Sequence, residues 1–132
     1  MSDVFVDSSA VLALRHPGDV SHADAKRGFA RLRAREAVLV TTSYVICEVY
    51  ARLGRRFGLS EVQAFRAEFF PLLRVVWVDA MLHEQGLDLL VERGQESLSL
   101  VDAVSFVAMR EGGLDEAFAF DRHVAREGYQ RP

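Results

Sequence analysis

The chain has 132 residues, half of them hydrophobic and 27% charged, with a formal net charge of −3, which fits a folded globular domain over 1–132 and excludes a disordered chain. No apolar run approaches the roughly 18–20 residues of a bilayer crossing, and Met1-Ser2-Asp3-Val4 lacks the basic start and apolar stretch of a secretory leader, so a cytoplasmic protein with no membrane partner is expected. The acidic balance gives no global pull on nucleic acid; Lys26, Arg27, Arg31, Arg33 and Arg35, and separately Arg52, Arg55 and Arg56, form local basic clusters that solvated helix faces explain equally well.

Val4-Phe5-Val6 is an apolar run ending at Asp7, and Ser8-Ser9 leads into Ala10-Val11-Leu12-Ala13-Leu14, a strand and then a helix that Pro17-Gly18 breaks. A second helix is expected from about Ser21 through Phe29, Ala30 and Leu32 to about Arg35, before the strand Val38-Leu39-Val40. Thr41, Thr42 and Ser43 are each acceptable caps for a helix from Tyr44 to about Arg55, which Gly58 stops. Ser60 and Gln63 have capping-box spacing and open another helix through Phe65, Phe69 and Phe70, so the two make a helical hairpin. Val75-Val76-Trp77-Val78 is the third strand, Asp79 caps a helix to about Arg93, and Gly94 closes it. Ser99 begins a helix over 100–109 that Gly112-Gly113 ends. Ala117-Phe118-Ala119-Phe120 is the fourth strand, and Asp121 starts a short terminal helix before Gly128 and Tyr129. Strands too apolar to have a wet face, alternating with helices, predict a parallel sheet covered on both sides. Cys47, the single cysteine, lies in the apolar run Tyr44-Val45-Ile46-Cys47 and reads as a small core residue.

In an open parallel sheet the working site lies beyond the carboxyl ends of the strands, where Asp7, Asp79 and Asp121 all stand. Each also suits an ordinary helix N-cap, a role contributing about 1 kcal/mol. Glu48 is flanked by Tyr44-Val45-Ile46-Cys47 and Val49-Tyr50-Ala51, and an ionised carboxylate buried there costs several kcal/mol unless paired or bound to a cation. Arg52, one turn on, is placed to pair with it. Asp102 is the one acid in the apolar stretch from Leu98 to Ala108, and Ser99 with Asp102 has the spacing of a capping box.

Two acids at strand ends and two inside apolar helices, if gathered in one cleft, would raise one another's pKa unless a divalent cation sat among them. Oxygen-only ligands select hard ions such as Mg²⁺ or Mn²⁺, which keep waters and accept substrate phosphate oxygens. No clustered Cys or His ligands favour zinc, and His16, His22, His83 and His123 are expected in loops or on exposed helix faces.

Strand-Asp7-Ser8-Ser9, Ser43 five residues before Glu48, Leu98-Ser99-Leu100-Val101-Asp102-Ala103 and Phe120-Asp121-Arg122-His123 follow in that order across almost the whole chain. Together they resemble the four-acid signature of PIN domains, including the VapC-type toxins of bacterial toxin–antitoxin pairs. The resemblance implies a three-layer α/β/α sandwich around a parallel sheet of four or five strands, any fifth strand being short after Tyr129. It implies a metal site of Asp7, Glu48, Asp102 and Asp121, with Asp7 and Asp102 carrying most of the coordination of Mg²⁺ or Mn²⁺. Ser8 or Ser9 would orient the first carboxylate, and Asp79 would remain a cap.

The implied activity is hydrolysis of RNA to 5′-phosphate and 3′-hydroxyl ends, with Glu48 or Asp121 orienting the attacking water. The implied partners are RNA, a cognate antitoxin and a second copy in a homodimer. The hairpin aromatics Tyr44, Tyr50, Phe57, Phe65 and Phe69 are the candidate antitoxin groove, equally readable as core or dimer residues. Family members often carry a hydroxyl where this chain has Ala119 and an aromatic where it has Val124, which leaves open a non-catalytic PIN scaffold binding RNA or protein. A phosphoaspartyl phosphatase wants a second acid two residues after the first, and Ser9 occupies that place.

Overall fold

The computed structural model describes residues 3–132. Four strands, β1 (Asp3–Val6), β2 (Val38–Thr42), β3 (Leu73–Val76) and β4 (Ala117–Phe118), alternate with helices α1 (Ser8–Arg15), α2 (His22–Ala34), α3 (Ser43–Phe57), α4 (Leu59–Glu68), α5 (Ala80–Arg93), α6 (Leu100–Gly112) and α7 (Arg122–Arg126). The sheet is wholly parallel in the order β3-β2-β1-β4. Successive strand residues point to opposite faces, yet Val4, Phe5 and Val6 are each at most 1% exposed. Helices therefore cover both faces, and the expected α/β/α sandwich is the fold. Helices α1 and α2, α3 and α4, and α5 and α6 pack as neighbours, and no helix among the described residues is long and apolar enough to cross a membrane.

Connections from β1 to β2 to β3 march outward on one side of β1, whereas β4 joins its other side. The order thus reverses between β1 and β4, and beyond the carboxyl ends of such a pair lies the crevice in which open parallel sheets bind their ligands. Asp7 and Asp121 follow these two strands.

Several boundaries depart from expectation for local reasons. The third strand is residues 73–76 rather than 75–78, because its partner β2 ends at Thr42, opposite Val76, where α3 begins. Val78 instead donates its N–H to Ser43 Oγ at 2.9 Å, and Trp77 is 70% exposed. The fourth strand stops at Phe118, since β1 has no residue left to pair beyond Val6. Helix α4 starts at Leu59 with Gly58 as its cap at φ 88°, so the Ser60–Gln63 box does not form. Of the three candidate caps for α3, Thr42 acts, accepting from the Val45 N–H. A fifth strand is reduced to one parallel bridge between Glu116 and Gln130. Cys47 is exposed, contrary to expectation: Val45, Ile46, Val49 and Leu53 form the inward stripe of α3, and position 47 falls outside it.

The α5–α6 contact is close enough to require a glycine. A Cβ on Gly86 would stand 2.4 Å from Val104 Cγ2 and 3.1 Å from its Cα. Alanine is the better helix former by about 1 kcal/mol, but overpacking costs about 1–3 kcal/mol, and the backbone of α6 has no rotamer with which to yield. Gly86→Ala is expected to lower the urea midpoint, by about 1–2 kcal/mol in stability; an unchanged midpoint would mean that the two helices separate freely.

Candidate active site

Asp7 leaves β1 in extended conformation and caps α1, with only 4% of its surface exposed. Its Oδ2 accepts the Ser9 N–H at 3.2 Å and the Ser9 hydroxyl at 2.5 Å. The same Ser9 Oγ accepts the Phe120 N–H at 2.9 Å, so one hydroxyl fixes the carboxylate and ties the end of β1 to the segment leading to Asp121. Ser8 turns the other way and donates to Glu48 Oε1 at 2.6 Å. The expectation that one of the two serines orients the first acid therefore resolves to Ser9. The bond from Ser8 to Glu48, across 40 residues of chain, had no signal in sequence spacing.

Glu48 is less enclosed than its apolar neighbours imply, its side chain being 22% exposed. Arg52 does approach it, but at 3.7 Å from a guanidinium that is 59% exposed, a weak surface pair. Ser8 is the closer partner. Asp102 forms the anticipated capping box: its N–H donates to Ser99 Oγ and its Oδ2 accepts the Ser99 N–H, both at 3.1 Å. Asp121 caps α7 and accepts the His123 N–H at 2.7 Å. Asp79 caps α5 through Leu82 and takes no part in this group.

The four acids sense one another. Burial, reinforced by the negative charges of Asp102 and Asp121, pushes the Asp7 carboxyl up to about 6 against the opposing hydrogen bonds from Ser9. Burial also raises Asp102, with Asp121 and Glu48 adding to it and Ser99 opposing. The fold thus sets Asp7, Asp102 and Asp121 within electrostatic reach of one another, with Glu48 acting on Asp102. Among the described residues no group of three or more His, Cys, Asp or Glu side chains is arranged to hold a metal ion. The donor set is nonetheless all oxygen and mutually repelling, the chemistry that suits a hard divalent cation.

Two expectations fail. The histidines are not exposed: His22 bonds the Ala13 carbonyl, His83 bonds Tyr44, His16 meets Arg56, and His123 is only 6% exposed and bonds Ser97. Of the hairpin aromatics, Phe65 and Phe69 are 0% and 4% exposed and Tyr50 packs edge-on against Phe65, so these three belong to the core, while Phe57 stays 38% exposed. Helical periodicity gives the same stripe to a core face and to a docking face, and here the core takes it.

The PIN domain model matches residues 4–127. The 23S rRNA-specific endonuclease VapC20 of Mycobacterium tuberculosis, in strains CDC 1551 / Oshkosh and H37Rv, is 36% identical over 127 residues, 96% of this chain and 95% of the relative. The crystal structure of M. tuberculosis VapC20, described as a sarcin–ricin loop cleaving toxin, superposes with a TM-score of 0.85 at 35% identity, covering 98% of each chain. A Pyrobaculum aerophilum crystal structure matches with a TM-score of 0.64 at 25% identity, over 98% of this chain and 83% of that one. A toxin–antitoxin complex from Klebsiella pneumoniae shares the fold, with a TM-score of 0.61 at 16% identity over 87% of this chain and 83% of that one. With sequence and architecture matched over nearly its full length, the chain belongs to the PIN-domain family.

Proposed function

We propose that this chain is an endoribonuclease dependent on Mg²⁺ or Mn²⁺ and the toxin of a toxin–antitoxin pair, acting as one domain over 1–132. Asp7, Asp102, Glu48 and Asp121 hold the cation. The observation carrying this reading is the buried Asp7 carboxylate, with Asp102 and Asp121 adding to its raised pKa of about 6: a carboxylate that carries its charge at neutral pH against burial and neighbouring negative charge is one that a divalent cation would relieve. When bound, such an ion activates water and offsets the charge that develops on the scissile phosphate. Ser9 holds Asp7 in one orientation. Ser8 pins Glu48, which is exposed enough to orient the attacking water, and Asp121 faces the same crevice from β4.

Identity of 36% to an endonuclease named for 23S rRNA supports ribosomal RNA as substrate, and the structural match to a toxin that cleaves the sarcin–ricin loop supports that loop as the place of the cut. Incubation with intact ribosomes and Mn²⁺, followed by primer extension, should reveal one cut there. No Mg²⁺- or Mn²⁺-dependent cleavage of ribosomal or other RNA would overturn the nuclease reading. The scaffold alternative gains no support from Ala119, which is 6% exposed and packed in the core, while Ser9 supplies the hydroxyl that meets the neighbouring backbone.

Ser9→Ala removes the hydroxyl's bond to Asp7 and the partner of the Phe120 N–H, leaving the Ser9 N–H on the carboxylate. Loss of such an outer partner typically costs 10–100-fold in activity or metal affinity, so cleavage should fall by about that factor and return with Ser9→Thr. Equal rates for all three proteins would show that the hydroxyl positions nothing.

The cognate antitoxin and the second copy of a homodimer need apolar surface. Trp77, Met81 and Val91, each at least 70% exposed, offer it in place of the buried Phe65 and Phe69. Co-purification with the protein encoded beside this one tests the first partner, and sedimentation of the isolated chain tests the second.

A further inference from the structure

A groove of about 420 Å³ lies beside the acid crevice, walled by His16 and Asp19 after α1 and by Arg52, Arg55, Arg56 and Phe57 at the end of α3. Basic residues in a last helical turn complement the helix dipole, which would account for Arg55 and Arg56 alone. It does not account for what faces them. His16 and Phe57 present tilted rings 5.3 Å apart, the Arg56 guanidinium sits 5.6 Å over the Phe57 ring, and Arg56 Nη2 lies 3.2 Å from His16 Nε2. Phe57 is nonetheless 38% exposed, so part of its ring stays open to solvent. Among the described residues Arg55 and Arg56 form no ion pair with any acid.

The groove is continuous with the acids through Arg52, whose guanidinium is 3.7 Å from Glu48 Oε1. At 1.5 Å per residue, Arg55 and Arg56 lie roughly 10–12 Å along α3 from Glu48. Guanidinium groups interleaved with an open aromatic ring are the chemistry that holds a single nucleic-acid strand, phosphates on the cations and a base on the ring. Asp19 contributes one opposing charge, but its Oδ1 is engaged by the Ser21 N–H at 2.8 Å, and the guanidiniums outnumber it.

We propose that this groove is a subsite for the RNA strand beside the cut, with phosphate on Arg55 and Arg56 and a base against Phe57. The choice of ligand rests on the nuclease reading; the groove itself does not. Binding is measured in EDTA, where no cleavage occurs, by fluorescence anisotropy of a labelled single-stranded oligoribonucleotide of mixed sequence.

Arg55→Ala/Arg56→Ala should weaken binding about tenfold or more and flatten the salt dependence, since each lost phosphate contact on a single strand removes about 0.7 from the log–log slope. Phe57→Ala should weaken it about tenfold with the slope unchanged, as loss of stacking does. Arg55→Lys/Arg56→Lys should restore the slope, and circular dichroism checks that every variant is folded. Wild-type affinity and slope in the double alanine variant would overturn the proposal. So would a double variant that keeps RNA but loses a poly-glutamate peptide, because the groove would then serve an acidic protein segment. Wild-type protein that binds RNA through this groove yet cleaves none with Mn²⁺ would sustain the subsite and strike only the nuclease reading.

Discussion

Asp7→Asn should eliminate RNA cleavage while making the metal-free protein more stable at neutral pH. The substitution keeps shape and removes charge. Activity should drop by more than the roughly 100-fold that accompanies loss of an outer partner, because Asp7 is proposed to touch the cation itself. The stability gain follows from burial. Each tenfold change in proton affinity corresponds to about 1.4 kcal/mol, so moving the Asp7 carboxyl from 3.8 to about 6 means that its ionised form costs the folded protein about 3 kcal/mol. Asparagine avoids that cost and still accepts both Ser9 donors, but its amide N–H groups need partners, and an unsatisfied one costs about 1–3 kcal/mol. A net gain of about 1–2 kcal/mol in EDTA at pH 7 is the expected balance. Retained Mn²⁺-dependent cleavage in the purified variant would remove Asp7 from the site, and reduced stability would show that its charge is already compensated within the chain.

The second large effect is a linkage between pH and cation. Folded Asp7 binds its proton more tightly than the unfolded chain does, so the native state carries more protons between pH 4 and pH 6. Stability therefore falls with rising pH across that window. The contribution is fully present below the unfolded value of 3.8 and lost as pH passes about 6, amounting to about 3 kcal/mol in EDTA. Asp102 is shifted in the same direction and deepens the fall. A cation that binds only the folded, ionised site stabilises by mass action, so millimolar Mn²⁺ should raise the melting temperature at pH 7.5 and leave it unchanged at pH 4, where a proton holds Asp7. Equal shifts at both pH values would place the ion elsewhere.

Hydrophobic runs and turn residues made most of the architecture readable in advance. Val4-Phe5-Val6 and Val38-Leu39-Val40 are strands because they are buried on both faces, and Gly94 and Gly113 end helices in left-handed conformation. The errors cluster where a neighbouring element decides. Trp77 and Val78 look like strand, but pairing ends with β2. Phe65 and Phe69 could face a partner or the interior, and only their packing against the rest of the fold distinguishes the two. Cys47 sits among apolar residues yet lies off the inward stripe of α3.

The acids were visible one by one, each with an ordinary alternative that turned out to be real: Asp7 and Asp121 do cap helices, Asp102 does close a capping box, and Arg52 does approach Glu48. What one dimension does not encode is convergence, which depends on β4 joining the far side of β1. The serines show the same limit, since nothing in Ser8-Ser9 says that one reaches Glu48 and the other Phe120.

Those caps also fix how three of the acids are held. Asp7, Asp102 and Asp121 each already engage an amide at the start of α1, α6 or α7, so part of their lone-pair density is committed before any cation arrives. The direction in which these three carboxylates point is therefore inherited from the stiffness of helix starts.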